Sequence, residues 1–215
     1  NNKGADIKNE SAEWSQIAVQ GPKALELLGK VFGRDFSMTK ANTFEALKFQ
    51  SANVYLARTG YTGESGGEIF VPNANAAALW QKLLSEGQAL GVQPIGLGAR
   101  DTLRTEMKYS LYGHEITDET DPISAGLGWV VKLDKGDFVG REIIARVKSE
   151  TPKRKLVGFK MIDKGIPREG YALFSFDSQE IGKVTSGTMS PTLNEGIGIG
   201  YVPAALANVG TELLI

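Results

Sequence analysis

The chain contains no cysteine and a single histidine, His114. The first absence excludes disulfides, thiolate zinc sites, iron–sulfur ligation and cysteine nucleophiles within this chain. The second leaves any zinc site dependent on oxygen ligands, and any serine-hydrolase chemistry dependent on one imidazole. A dominant charge of either sign is also missing. Lys and Arg number 24 against 25 Asp and Glu, a formal net charge of −1. So neutral a chain has no global field with which to hold nucleic acid or an anionic membrane. No apolar run approaches the ~18 residues of a membrane span. The opening residues, Asn1 to Asp6, are polar and unlike a signal peptide. The lack of cysteine and of a signal leads us to expect a cytoplasmic protein with neither nucleic-acid nor membrane partners. The final residues, Thr211 to Ile215, read as the middle of a strand, and both ends are expected to be cut.

What is present reads as an ordinary globular chain, 41% hydrophobic and 23% charged. Residues 14–20 form a strand closed by Gly21-Pro22, with Pro22 suited to the first turn of a helix over residues 22–32. Strands are expected over Phe44–Phe49, Asn53–Arg58 and Glu68–Pro72. A helix capped by Asn73 or Asn75 should then carry Ala77, Leu79, Leu83 and Leu84 on one face. Another is expected from Gly98 to Tyr109, with Arg100, Arg104 and Lys108 along one side. This order predicts an α+β fold, a ferredoxin-like antiparallel sheet with helices on one face. A short helix should follow Gly140. Beyond Pro152, short strands over residues 156–161, 171–176, 180–187 and 196–202 predict a small β-barrel. The expected division is a first domain over residues 1–128, a connector over 129–152, and a barrel domain over 153–215.

Three runs could carry chemistry. Arg58 to Glu68 is a glycine-dense loop holding Tyr61, Glu64 and Glu68; it is either a ligand loop that backbone approaches closely or a wide hairpin with solvated acids. Arg100 falls in a helix first turn, against the dipole preference, so it serves a ligand or an ion pair with Asp101 or a nearby Glu. His114-Glu115 is either an acid–base pair or, as with most isolated histidines, structural. The run Gly196-Ile197-Gly198-Ile199-Gly200 lacks a following helix and reads as a packed strand rather than a dinucleotide fingerprint.

In series, several of these runs resemble one family. Ile17-Ala18-Val19-Gln20-Gly21-Pro22, Arg58 to Gly63, Gly98-Ala99-Arg100-Asp101-Thr102-Leu103-Arg104 through Leu111-Tyr112-Gly113, Ala125 to Trp129, Gly165 to Arg168 and Val184 to Pro191 are similar to motifs of the glycine-cleavage aminomethyltransferase (T-protein) family. The likeness covers nearly the whole chain. It implies transfer of a one-carbon unit from the aminomethyl-lipoyl group of the glycine-cleavage H-protein to tetrahydrofolate, with release of ammonia and no metal. It further implies that Glu68 reads the pterin, that Arg100 and Tyr61 line the folate channel together with it, and that Trp129 contacts folate. The family's catalytic aspartate would lie upstream of this chain and the closing C-terminal residues beyond it, so the polypeptide itself is expected to be inactive. Gly67 stands where the family often has a larger residue, an expected loosening of local packing. Two other readings stay open: a folate-dependent demethylase of a small methylated donor, and a folate-binding iron–sulfur assembly factor. Asp137, in Lys135-Gly136-Asp137-Phe138, departs from the cysteine of the latter group.

Overall fold

The computed structural model describes Gly4 and residues 6–215, so the remaining residues of the polar opening stretch lie outside it. Internal contacts divide the chain into two compact units, up to Arg100 and from Asp101 onward. Both are α+β, each built on a four-stranded antiparallel sheet.

The first unit contains β1 (Trp14–Gln20), α1 (Ala24–Phe32), β2 (Phe44–Phe49), β3 (Ala52–Ala57), β4 (Gly66–Pro72) and α2 (Asn73–Gly87). The strand order is β1-β4-β3-β2. Period-two alternation decides the faces. Val19, Val54, Leu56, Ile69 and Val71 point toward the helices and pack with Leu27, Leu28, Leu79 and Leu83. Each such buried aliphatic side chain contributes roughly 1.5–3 kcal/mol. The opposite face carries Gln16, Glu68 and Phe70, set by the pairs Gln16↔Phe70 and Ala18↔Glu68. Trp14, Phe44, Tyr55 and Phe70 cluster there, with Phe44 and Tyr55 stacked at 5.3 Å.

Helix α1 starts at Ala24, two residues after Pro22, and stops at Gly33, whose left-handed backbone (φ 69°) returns its N–H to Gly29 O. Neither Asn73 nor Asn75 caps α2: Pro72 holds that position, with no side-chain cap. Asn73 is occupied elsewhere, accepting from Ser15 Oγ at 2.6 Å and donating to Ala12 O at 2.7 Å. Gly67 does not loosen the packing either. A Cβ there would lie 2.6 Å from Leu56 Cδ1 and 3.0 Å from Ala57 O, so the space is already filled.

Helix α3 (Leu97–Glu106) spans the boundary between the units. The second unit then runs through α4 (Arg141–Glu150), β5 (Arg154–Lys160), β6 (Ala172–Phe174), β7 (Glu180–Ser190) and β8 (Glu195–Pro203), with sheet order β5-β8-β7-β6. Leu173, Val184 and Val202 form its core with Val157, Phe159 and Ile181. The glycine run is the packed strand expected: Phe159 lies over Gly198, and Leu173 and the Lys183 carbonyl lie against Gly200. Residues 211–215 are not a strand; Leu214 makes one antiparallel bridge, to Phe174. No helix of the described residues is long and apolar enough to cross a membrane.

Candidate functional site

Glu68 is half-buried on the sheet face away from the helices. Its register neighbours are Ala18 on β1 and Ala57 on β3. Alanines on both sides leave the carboxylate room above the sheet. Gln16 Nε2 donates to Oε1 at 2.8 Å, and the Thr59 hydroxyl donates to Oε2. Both donors are neutral, and no cation of the described residues forms a salt bridge with Glu68. A carboxylate fixed in this way has acceptor capacity to spare.

Gln20, at the end of β1, anchors the loop between β3 and β4. Its Nε2 donates to Thr59 O at 3.2 Å and to Gly67 O at 3.1 Å, while the Thr62 hydroxyl donates to its Oε1 at 3.4 Å. The Gly21 N–H closes the loop onto Ser65 O at 2.8 Å. Two of the loop's glycines are thereby explained. A Cβ on Gly60 would lie 2.0 Å from Gln20 Oε1, and one on Gly66 would lie 2.2 Å from Val19 O. This is close backbone approach, though the partner is the protein's own glutamine. Arg58, at the loop's start, is buried and donates to Thr39 O at 3.3 Å.

At the loop's tip the Arg100 guanidinium lies 4.7 Å from the centroid of the Tyr61 ring. Arg100 is exposed. Asp101, its candidate ion-pair partner, is taken instead by Arg104, whose Nε and Nη2 reach Asp101 Oδ1 at 2.8 and 2.5 Å. Arg100 and Glu68 therefore meet the same short segment from its two ends, one over Tyr61 and the other bonded to Thr59. The open hollow of 660 Å³ lined by Phe32, Lys48, Gln81 and Ser85 lies between α1, α2 and the β2–β3 turn and includes none of these residues.

The second unit places the remaining candidates. Arg104 is not on a solvated side with Arg100; it is buried, and donates to Glu115 Oε2 at 2.8 Å and Ser186 Oγ at 2.7 Å. Glu115 is equally buried and accepts further bonds from Leu111 N–H and the Thr185 hydroxyl. Its hydrogen-bond partners do not include His114, whose Nδ1 lies 3.3 Å from Thr185 O and 3.4 Å from Glu169. The two residues are not an acid–base pair. Trp129 sits in a 3-10 turn, Gly128–Val130, and is 74% exposed. In the connector, Lys135 Nζ lies 4.7 Å from the centroid of the Phe138 ring and Arg141 donates to Leu133 O, so Lys135 to Arg141 is a self-closed loop. Among the described residues no cluster of His, Asp and Glu could hold a metal ion.

Sequence reasoning singled out Glu68, Tyr61 and Arg100 but passed over Gln16 and Thr59, which hold Glu68, and Gln20, which holds the base of the loop. Gln20 and Thr59 stood in the quoted motifs, yet only as marks of resemblance. Gln16 lies on an alternating strand, and its position opposite Phe70 depends on the register of β1 against β4.

The chain is thus two antiparallel α+β units, the first presenting the Glu68 carboxylate between two neutral donors beside a glutamine-anchored glycine loop. The family model described as GCVT N-terminal domain matches residues 1–135, and that described as glycine cleavage T-protein C-terminal barrel domain matches residues 154–215. The chain belongs to the glycine cleavage T-protein family. It is 58% identical over 214 residues to the aminomethyltransferase of Bdellovibrio bacteriovorus, matching 100% of this chain and 59% of that protein. To the aminomethyltransferase of Bacteroides thetaiotaomicron it is 49% identical, matching 100% of this chain and 60% of the relative. The crystal structure of glycine cleavage system aminomethyltransferase T from Bartonella henselae superposes with a TM-score of 0.83 at 35% identity, over 93% of this chain and 54% of that one. The chain thus spans about three fifths of the length of these curated relatives.

Proposed function

We propose that this chain supplies the pterin-reading part of a tetrahydrofolate-dependent aminomethyltransferase of the glycine cleavage system. In that reaction the aminomethyl carbon leaves the lipoyl sulfur of the H-protein and bonds to N5 and N10 of tetrahydrofolate. The nitrogen departs as ammonia, the sulfur takes a proton as the free thiol, and 5,10-methylenetetrahydrofolate is the product. The observation that carries the reading is the Glu68 carboxylate, held by two neutral donors and flanked by alanines.

A pterin presents its 2-amino group and ring N–H side by side, and one carboxylate accepts both as a forked pair. Tyr61 offers a flat face at low entropic cost. Arg100 offers planar donors for folate carbonyl or carboxylate oxygens. Trp129, an exposed aromatic of the second unit, is carried as a folate contact by the resemblance alone. None of these residues is assigned to ammonia release. On this reading residues 1–128 bind folate, 129–152 connect and 153–215 form the barrel, in a cytoplasmic protein with a lipoylated protein partner.

The test is an assay of the full-length protein with aminomethylated H-protein and tetrahydrofolate, following ammonia. Release that depends on both supports the proposal. No release, with demethylation of a small methylated donor instead, replaces it.

A further inference from the structure

Resting on the reading of Glu68 as the pterin acceptor, we propose that Gln16 and Thr59 are positioning residues that fix the plane of its carboxylate, and that Gln20 sets the height of Thr59. A carboxylate on an exposed strand face rotates freely about its last torsion, which is broad and roughly two-fold. Here each oxygen is tied to a different element: Oε1 to Gln16 on β1, and Oε2 to Thr59 on the loop. Bonds from opposite sides leave one plane for the group. The count also fits. A carboxylate offers about four acceptor positions; the two donors take one on each oxygen, and a forked ligand needs one more on each.

Thr59 is itself placed from β1, because Gln20 donates both to its carbonyl and to that of Gly67, next to Glu68. Gln16 and Gln20 lie on the same face of one strand. A single rigid edge thereby sets the Glu68 plane and the base of the loop carrying Tyr61. A lysine or arginine in place of either donor would hold the carboxylate as firmly but neutralise the charge that attracts the pterin donors. Neutral donors orient it without doing so.

The experiment measures binding of tetrahydrofolate, and of a bare tetrahydropterin, to this chain by calorimetry, with thermal melting as the folding control. Glu68→Gln should weaken both ligands by about tenfold or more. Thr59→Val and Gln16→Leu should each produce a smaller loss, equal for the two ligands, and Thr59→Ser should restore the parent affinity. Gln16→Glu, a like charge beside Glu68, should do more harm than Gln16→Leu. Loss in Glu68→Gln with parent affinity in both Thr59→Val and Gln16→Leu overturns the positioning proposal and leaves the pterin reading intact. Parent affinity in Glu68→Gln, or no binding of either probe by the unaltered chain, overturns both. A ligand-free check uses the side-chain amide signal of Gln16 in nitrogen-resolved NMR. Glu68→Ala should shift it upfield and speed its exchange; an unmoved signal removes the bond on which the proposal stands.

Discussion

Arg104 donates to Glu115 at 2.8 Å with both side chains withdrawn from solvent, 2% and 0% exposed. The pair joins α3 to the segment after it, and Ser186 and Thr185 tie the same two groups to β7. Breaking such a pair from one side leaves an uncompensated buried charge. Arg104→Met should therefore destabilise the chain by about 3–5 kcal/mol, read by urea denaturation, and Glu115→Gln by less because its acceptor oxygen survives. Equal melting of Arg104→Met and the parent would contradict the buried network.

Arg100, one helical turn away, behaves oppositely. It is exposed, with its guanidinium over the Tyr61 ring. Arg100→Ala should leave stability within about 0.5 kcal/mol, yet weaken tetrahydrofolate binding by roughly tenfold. Arg100→Lys should recover little, since an ammonium lacks the planar fork and stacks poorly. Full recovery in the lysine variant would show that charge alone suffices.

Gly60→Ala should clash with Gln20 and cost about 1–3 kcal/mol. Gln20→Ala in the same chain should recover part of that loss by removing the obstructing atom, so the pair should be non-additive in a double-mutant cycle. Simple additivity would mean the glycine is needed for another reason.

The carboxyl of Glu106 is held below the usual carboxylate range. Partial burial pushes it up, but the hydroxyl of Ser190 and the N–H and hydroxyl of Thr192 outweigh that. A group depressed on folding contributes stability above its unfolded value of about 4.3 and loses it as pH falls through the lower folded value. Acid unfolding followed from pH 5 downward should accordingly be shallower in Glu106→Gln, while the two proteins keep the same slope above pH 6.

Much of this fold was legible because period two and period 3.6 are local. Trp14–Gln20 and Phe44–Phe49 were read to the residue, and the helix at Arg141–Glu150 to within a turn. Asn73 misled because a good capping residue was claimed by Ser15 and Ala12, partners that only the antiparallel return of β4 beside β1 brings near. Arg104 misled for a similar reason. Its spacing from Arg100 and Lys108 suggested one charged side, but its partners Glu115 and Ser186 lie 11 and 82 residues on. In the candidate site, residue types singled out Glu68, Tyr61 and Arg100. Their supports, Gln16 and Gln20, took their meaning from strand register.

The bare face of β8 has a consequence for anyone altering this protein. At positions 196, 198 and 200 a methyl group would fall 2.1 Å from the Gly165 carbonyl, 2.3 Å from the Phe159 ring and 2.7 Å from the Lys183 carbonyl. Neighbours rest directly on the main chain there, so the strand is as thin as a polypeptide can be. A saturation library across this stretch should return almost nothing at those three sites, and fluorescent tags or affinity handles belong on other parts of the barrel.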